Sequence, residues 1–398
     1  MFLYRLILAL ALPVLLVWPG RGILAERLGL APRPGPGPRL WLHGASNGEL
    51  TSVRWLVARL IAARPGLQVL VTCNTATGRS MVRGWALPGI TAAFAPFDTA
   101  GAAPRLLRRW RPGALISLEA EFWPARLAAC HAAGVPVILL AARMSDRSAQ
   151  SWRRLPRLTA SVLAPIAFAL AQDAAARRNL MALGLPAAAF GPEFDLKAQA
   201  VADLPKVHPA PRRDRAGWLL AASTHAGEEE IVLDAFAAAP NFSHLVIAPR
   251  HPRRAAAIAA LLSARNLRFG QRSRGDSPEA APVFLADSMG EMDLWYARCG
   301  ACFLGGSLVP KGGHSPWEAA RHGCALLHGP SIANSAGPYA RLDAEGGALA
   351  VTQATLADAL RRLDGAAQDR MAQAASACFP ANRDADALVA QLLVLSQC

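Results

Sequence analysis

From Arg39 onward, short apolar blocks alternate with amphipathic stretches. The blocks Leu40–His43, Val69–Thr72, Ala114–Leu118, Pro136–Leu140 and Ile166–Ala171 have the unbroken hydrophobicity of strands buried on both faces. Between them, Glu49–Ala63, Gly78–Trp85, Ala102–Trp110, Pro124–Ala133 and Ala174–Leu183 read as helices, the last two stopping near Gly134 and Gly184. Such alternation predicts a doubly wound parallel sheet. Residues 204–217, LPKVHPAPRRDRAG, break the pattern with prolines and a charge cluster, which predicts a linker over 204–216. A second series follows, with strands near Gly217–Ala222, His244–Pro249, Val283–Leu285, Ala301–Leu304 and Ala325–His328, and a helical tail from Thr355 to Cys398. The expected fold class is therefore α/β: two Rossmann-like domains, 39–203 and 217–398, facing across a cleft, the second carrying the C-terminal helices.

The first residues follow another pattern. MFLYRLILALALPVLLVW, residues 1–18, contains a single charge, Arg5. It is slightly short for a full span, although about 17 residues suffice when the ends snorkel. No small-x-small cleavage site follows, and Arg21 and Arg27 lie just beyond, which keeps the main body on the cytoplasmic side. Residues 1–30 are thus expected to be a membrane anchor with its juxtamembrane segment; an interfacial helix is the alternative. APRPGPGP, residues 31–38, reads as a stiff linker.

Composition narrows the partners. The chain has 398 residues, 53% hydrophobic and 18% charged, and a net charge of +14 carried largely by arginine. That balance favours anionic partners: nucleic acid, phosphosugars or an acidic membrane surface. The basic residues are dispersed, with no polybasic tail or zinc-finger spacing, which argues against nucleic acid. Of seven cysteines only Cys299 and Cys302 have CxxC spacing, inside an apolar block, so they read as core thiols and no metal site is expected.

Candidate chemistry gathers after the strands. In Trp41–Leu50, WLHGASNGEL, Ser46 stands three residues before Glu49, the spacing of a capping box. The same position puts Glu49 at a strand's carboxyl end, where open α/β sheets bind ligands. Glu119 and Glu121 precede Phe122-Trp123-Pro124 and read either as acid/base groups or as acids favoured at a helix start. Arg143 and Arg147 suit an anion clamp, whereas Ser145 and Asp146 suit a helix cap. In the second half, residues 222–228 (ASTHAGE) and the turn Pro249-Arg250-His251-Pro252 suit a phosphate. The glycines of Gly305-Gly306-Ser307 and Lys311-Gly312-Gly313 let amides approach a ligand. Ser315, Pro316 and Glu318 fit N-cap, N1 and N3 of a second capping box around Trp317, unless Glu318 turns outward to ribose hydroxyls. The glycine and lysine spacing is not that of a Walker loop.

WLHGASNGEL, EAEFWP, AARMSDRSA, STHAGEEE, APRHPRR, DSMGEMDLWY, FLGGSLVPKGGHSPWEAA and the spacing of Gly329, Pro330 and Asn334 occur in this order. Together they resemble the 3-deoxy-D-manno-octulosonic acid (Kdo) transferases of lipopolysaccharide synthesis. The resemblance implies an inner-membrane, inverting glycosyltransferase of GT-B fold, its catalytic domains on the cytoplasmic side. It implies Kdo transfer from CMP-Kdo to a lipid A precursor; since no Asp/Glu pair in a metal-ligand pattern is evident, no cofactor or metal is expected. It also implies that Glu49 is the proton acceptor and that Glu121 belongs to the catalytic cleft. Arg250, His251, Met289, Gly290, Glu291, Ser315, Pro316, Trp317 and Glu318 are implied to bind CMP. The chain departs from the pattern at Asn47, where an apolar residue is usual, and at Glu193, where a lysine precedes Phe-Asp in the family; Lys197 lies beyond Asp195. A related transferase with another acidic sugar or acceptor, and a lipid-binding paralogue with weakened catalysis, are the rival readings.

Overall fold

Strands β1 (Arg39–His43), β2 (Gln68–Cys73), β3 (Ile90–Phe94), β4 (Leu115–Leu118), β5 (Val137–Ala142) and β6 (Ile166–Ala171) form the first sheet in the computed structural model, which describes residues 21–119, 121–204, 212–379 and 382–397. All pairs are parallel, and the order is β3-β2-β1-β4-β5-β6. Alternate residues face opposite layers: Leu40, Leu42, Val69, Val71, Ile116 and Leu118 enter one core, Trp41, Leu70, Leu115, Val137 and Leu139 the other. Helices cover both faces, which is why these strands carry no polar alternation. The order reverses direction between β1 and β4, and a crevice opens at the carboxyl ends of strands at such a point.

The second sheet contains β7 (Trp218–Thr224), β8 (His244–Pro249), β9 (Phe269–Gln271), β10 (Val283–Leu285), β11 (Ala301–Leu304), β12 (Ala325–His328) and β13 (Ala348–Ala350). It is also parallel, ordered β13-β12-β11-β7-β8-β10-β9, with its reversal between β7 and β11. Three strands were absent from the apolar pattern: β3, β9 and β13. Each lies at a sheet edge, where one side lacks a neighbour and little hydrophobic surface is needed.

The described residues up to Ala200, together with 382–397, form one compact unit, and Val201–Phe379 form the other. This corrects the expected boundary at the C-terminus. Helix Asn382–Leu395 packs on helix Asn47–Ala63, and its Ala385, Leu388, Val389 and Leu392 join Leu50, Val53 and Leu56 in the first unit's core. Arg59 Nη1 adds a 2.7 Å bond to Asp386 Oδ1. Helix Leu356–Arg362 stays with the second unit, where Leu356 and Leu360 are core residues.

Residues from both expected linkers pack on a unit. Arg215 is buried in the second unit, its guanidinium donating to the carbonyls of Cys299 (2.9 Å), Tyr296 (2.9 Å) and His322 (2.7 Å). Segment 31–38 lies against the first unit: Trp110 Nε1 donates to Pro32 O at 2.8 Å, and Arg109 Nε donates to Ala31 O. Helix Arg21–Arg27 docks there too, through Glu26, which accepts from Arg79 Nη1 (2.9 Å) and from the Phe94 amide (2.7 Å). The anchor expected over residues 1–18 lies outside the described residues. Among the described residues, no helix is long and apolar enough to cross a membrane.

Truncating Leu392 to alanine removes a fully buried side chain from the first unit and is expected to cost about 2–5 kcal/mol. Hydrogen exchange should quicken in helix Asn47–Ala63 while β7 and β8 keep their protection.

Candidate functional site

At the reversal point of the first sheet, the chain leaves β1 through Gly44-Ala45 and enters its helix at Ser46. The predicted capping box is formed. Ser46 Oγ accepts from the Glu49 amide (3.3 Å), and the Glu49 carboxylate turns back to accept from the Ser46 amide (3.2 Å) and hydroxyl (2.7 Å) on Oε1. Its Oε2 accepts from the Ala45 amide (2.8 Å), which leaves that oxygen a lone pair. Capping and ligand-facing roles are therefore compatible. Glu49 is 9% exposed. Desolvation raises its pKa above the ordinary carboxylate value; the bonds from Ser46 and Ala45 pull against the rise, and the charges of Glu119 and Glu121 add to it.

Glu121 reaches the same strand ends from the loop after β4, but it does not cap the following helix. Asp98 does so, accepting from the amides of Ala125 (2.9 Å) and Arg126 (2.7 Å). Glu121 Oε2 instead accepts from Trp123 Nε1 and, at 3.2 Å, from His43 Nε2. Burial pushes the Glu121 pKa up, but these two hydrogen bonds, with the charges of His43 and Arg126, outweigh burial, so the net shift is downward. Two neighbouring carboxyl groups are thereby driven apart, Glu49 upward and Glu121 downward, as acid/base sites require.

His43 is a site residue that the sequence reading passed over as a strand end. It is fully buried, with Nδ1 3.0 Å from Thr72 Oγ1, which itself accepts from Trp41 Nε1 at 2.8 Å. Burial first, then the charge of Arg126, lowers its pKa to about 4, so the ring is neutral at pH 7. A neutral ring has one N–H, and both the Glu121 carboxylate at Nε2 and the Thr72 carbonyl, 3.1 Å from Nδ1, can only accept; because Glu121 is charged and the Thr72 hydroxyl can donate to Nδ1, we assign the proton to Nε2. Arg126 is 2% exposed, and its guanidinium carbon lies 5.7 Å from the Trp41 ring centroid and 5.8 Å from that of Trp123. Glu119 takes a left-handed φ of +52° at the exit of β4, a conformation uncommon outside glycine. Asn47 is the first helical residue, 3.5 Å by its Oδ1 from Thr77 Oγ1. Glu193 is exposed, and the Phe194 beside it packs against Trp55 with centroids 5.9 Å apart and the rings tilted by 33°.

In the second unit the glycine turn is already filled. Glu228 is fully buried, and its carboxylate accepts four backbone amides: His225 (2.9 Å) and Gly306 (2.7 Å) on Oε2, Ser307 (3.0 Å) and Leu308 (3.0 Å) on Oε1. The Gly306 and Ser307 amides expected to cradle a ligand are thus occupied by the chain itself. The buried carboxylate of Glu229 takes a bidentate bond from Arg254 and one from Thr224 Oγ1 (2.7 Å), which fixes the adjoining turn.

What remains open is a cluster of imidazoles around Arg250. Arg250 and His251 are both exposed after β8. His225 Nε2 is 3.0 Å from His314 Nε2, and the ring of His251 stands edge-on to His225 at 6.2 Å. Burial, with charge from His225, Arg250 and His251, lowers the His314 pKa to about 4. His225 and His314 were not singled out in the sequence, although both lie within quoted segments. The loop carrying His314 is held by Asn334, whose Nδ2 donates to Lys311 O at 2.9 Å. Gly312 has φ +82°, and a Cβ there would lie 2.6 Å from Asn334 Nδ2, so glycine is required.

Other predicted ligand residues fare differently. Helix Trp317–Arg321 starts one residue late, with Pro316 at its N-cap and no side-chain cap bond, so the second capping box is not formed. Glu318 makes no capping bond and is exposed; desolvation with Asp293 raises its pKa while Arg250 pulls it down. Trp317 is a core residue, packed 5.1 Å from Phe379. Pro316 is buried, whereas Ser315 is half-buried beside it. Met289 is 72% exposed and Gly290 has φ +83°. Glu291 is bound by Arg272 (2.7 Å) and Ser288, which hold its pKa down to about 2. In the first unit Arg143 and Arg147 are exposed, and Ser145 caps helix Asp146–Arg153. Cys299 and Cys302 are buried thiols whose pKa burial pushes well up, as core residues.

Residues 23–200 match the family model of 3-deoxy-D-manno-octulosonic-acid transferase (kdotransferase). The 3-deoxy-D-manno-octulosonic acid transferase of Haemophilus influenzae is 30% identical over 91% of this chain and 89% of its own. That of Bordetella pertussis is 34% identical over 76% of this chain and 74% of its own. In fold the chain is similar to a putative UDP-N-acetylglucosamine 2-epimerase from Listeria monocytogenes, with TM-score 0.60 and 14% identity over 90% of this chain and 96% of that one. MurG of Acinetobacter baumannii gives TM-score 0.54 and 14% identity, over 89% of this chain and 99% of that one. These likenesses agree with two parallel-sheet α/β domains and speak only to fold. Sequence kinship over most of the length decides the rest: the chain belongs to the 3-deoxy-D-manno-octulosonic acid transferase family of glycosyltransferases.

Proposed function

We propose that this chain moves Kdo from CMP-Kdo, with inversion, to a hydroxyl of a lipid A precursor. The observation that carries this reading is the Glu49 carboxylate, held at a strand end with a raised pKa and a spare lone pair on Oε2. Its relatives in Haemophilus influenzae and Bordetella pertussis are Kdo transferases, which supports the choice of sugar. In the reaction, Oε2 of Glu49 takes the proton of the acceptor hydroxyl as the hydroxyl oxygen bonds to the anomeric carbon. The bond from that carbon to the phosphate oxygen breaks on the opposite face, and CMP leaves with the electron pair. Glu121, kept ionised by His43 and Trp123, orients the hydroxyl and favours positive charge developing on the sugar. Arg250 and His251 meet the phosphate, and Glu318 accepts from the ribose hydroxyls. These side chains supply the charge the step needs, so the proposed reaction draws on no metal or other cofactor.

In this reading the fold is of the GT-B kind, and the first unit takes the acceptor and the second the donor. Residues 1–18 anchor the chain in the inner membrane, with both units on the cytoplasmic side, and the net charge of +14 suits an anionic membrane surface and a phosphorylated acceptor.

Glu49→Gln is expected to lower kcat by a factor of about 100 to 10,000, the usual contribution of a general base, while CMP-Kdo binding by calorimetry stays unchanged. Product mass from a defined lipid A precursor reads the transfer, and undiminished turnover would refute the assignment.

The pH profile tests the two carboxyl groups separately. Glu49 acts only when ionised, so kcat/KM falls as pH drops through its raised pKa, whereas the depressed Glu121 stays ionised over that range. One acid limb is expected, displaced above the ordinary carboxylate value.

His43→Phe removes a donor from Glu121. A loss of roughly tenfold or more in kcat/KM is expected from a hydrogen bond to a charged group. The Glu121 carboxyl resonance should titrate at higher pH than in the parent protein; an unmoved titration contradicts the orienting role.

A further inference from the structure

The chain holds only three lysines, at 197, 206 and 311. Lys197 is the second residue of helix Leu196–Ala202, whose start is held by Asp195 Oδ1 accepting from the amides of Lys197 (2.9 Å) and Ala198 (3.0 Å). Its neighbours Leu196 and Ala198 are buried, so Lys197 takes the solvent side of the helix. There its Nζ lies 4.0 Å from Glu119 Oε1, with the lysine side chain 46% exposed.

This contact places an ammonium at the mouth of a group of three glutamates. Glu119 and Glu121 both act on Glu49 as like charges. An anionic reactant entering such a group meets repulsion unless a cation stands on the accessible side. Arg126 acts on Glu121 from the interior, where it lies against Trp41 and Trp123 and cannot reach out. Lys197 has the opposite properties: a flexible four-carbon stem, an exposed head, and a contact at the limit of ion-pair reach that is cheap to exchange.

We propose that Lys197 is a substrate-contacting residue whose ammonium leaves Glu119 to bind an oxyanion of the bound reactants. This rests on the transfer reading above. The oxyanion is either the carboxylate of the donor sugar or a phosphate of the lipid acceptor. Both offer charged oxygen acceptors to a compact, strongly hydrated ammonium, and the side chain is long enough to serve either without moving its helix.

The full chain is assayed for sugar transfer with Lys197→Gln and Lys197→Arg beside the parent protein, using a lipid A precursor with and without its sugar phosphates. Lys197→Gln is expected to lower kcat/KM by about 10- to 100-fold, as loss of a charge-assisted hydrogen bond does, and Lys197→Arg to restore most of it. If the partner is an acceptor phosphate, the loss shrinks with the dephosphorylated acceptor and the acceptor KM rises. If it is the donor carboxylate, the loss persists with both acceptors and the donor KM rises. Activity of Lys197→Gln within twofold of the parent overturns the proposal while leaving the transfer reading intact. A loss that Lys197→Arg does not repair also overturns it, since that marks a packing defect. Absence of transfer by the parent chain refutes the transfer reading instead.

Discussion

A glutamate folded back over the loop that precedes it shapes both strand-end regions of this chain. In the first unit Glu49 closes on Ala45 and Ser46; in the second Glu228 closes on His225 and gathers Gly306, Ser307 and Leu308. The two differ in what they leave over. Glu228 is spent entirely on four amides, each of which would cost about 1–3 kcal/mol if stranded without a partner in the interior. It sets the course of the chain between β11 and the His314 loop and has no capacity for a ligand. Glu49 meets only three donors and retains a lone pair at the rim of the sheet, so the same device yields a scaffold in one unit and a reactive group in the other.

The first of these regions works because capping is delegated. Asp98, far from Glu121 in sequence, satisfies the helix start at Pro124, and this releases Glu121 to pair with His43 and Trp123. Arg126, stabilised against two indole rings, then holds positive charge behind the glutamate without neutralising it by direct contact. Electrostatic differences between chemically identical carboxyl groups thus arise from which amides and rings each one meets.

Much of this was legible in the sequence, and the boundary of legibility is physical. Local rules carried the capping box at Ser46 and the alternation of strands and helices, because spacing of three or four residues encodes them. The second box failed because Pro316 took the N-cap position and the helix began at Trp317, a shift of a single residue that spacing alone does not resolve. The glycine turn was read as open because Glu228, its occupant, lies 78 residues earlier than Gly306. His43 was hidden for the same reason: its partner, Glu121, comes from another strand end; Lys197 was noticed only for its place in the sequence, because its contact with Glu119 spans 78 residues. Edge strands β3, β9 and β13 escaped because a strand with one neighbour needs no continuous apolar run.

The excursion of the last helix back to the first unit has a consequence for biosynthesis. The core formed by Leu50, Val53 and Leu56 is completed by Leu388, Val389 and Leu392, which leave the ribosome only after the whole second unit has been made. Domains ordinarily fold in the order of their synthesis. Here the earlier half waits for its final layer while the later half, contiguous from Val201 to Phe379, has all its strands in hand. Helix Asn47–Ala63, which presents Glu49, therefore acquires its covering layer only after the second unit has been translated, so the proposed base is locked in place later than the strands around it.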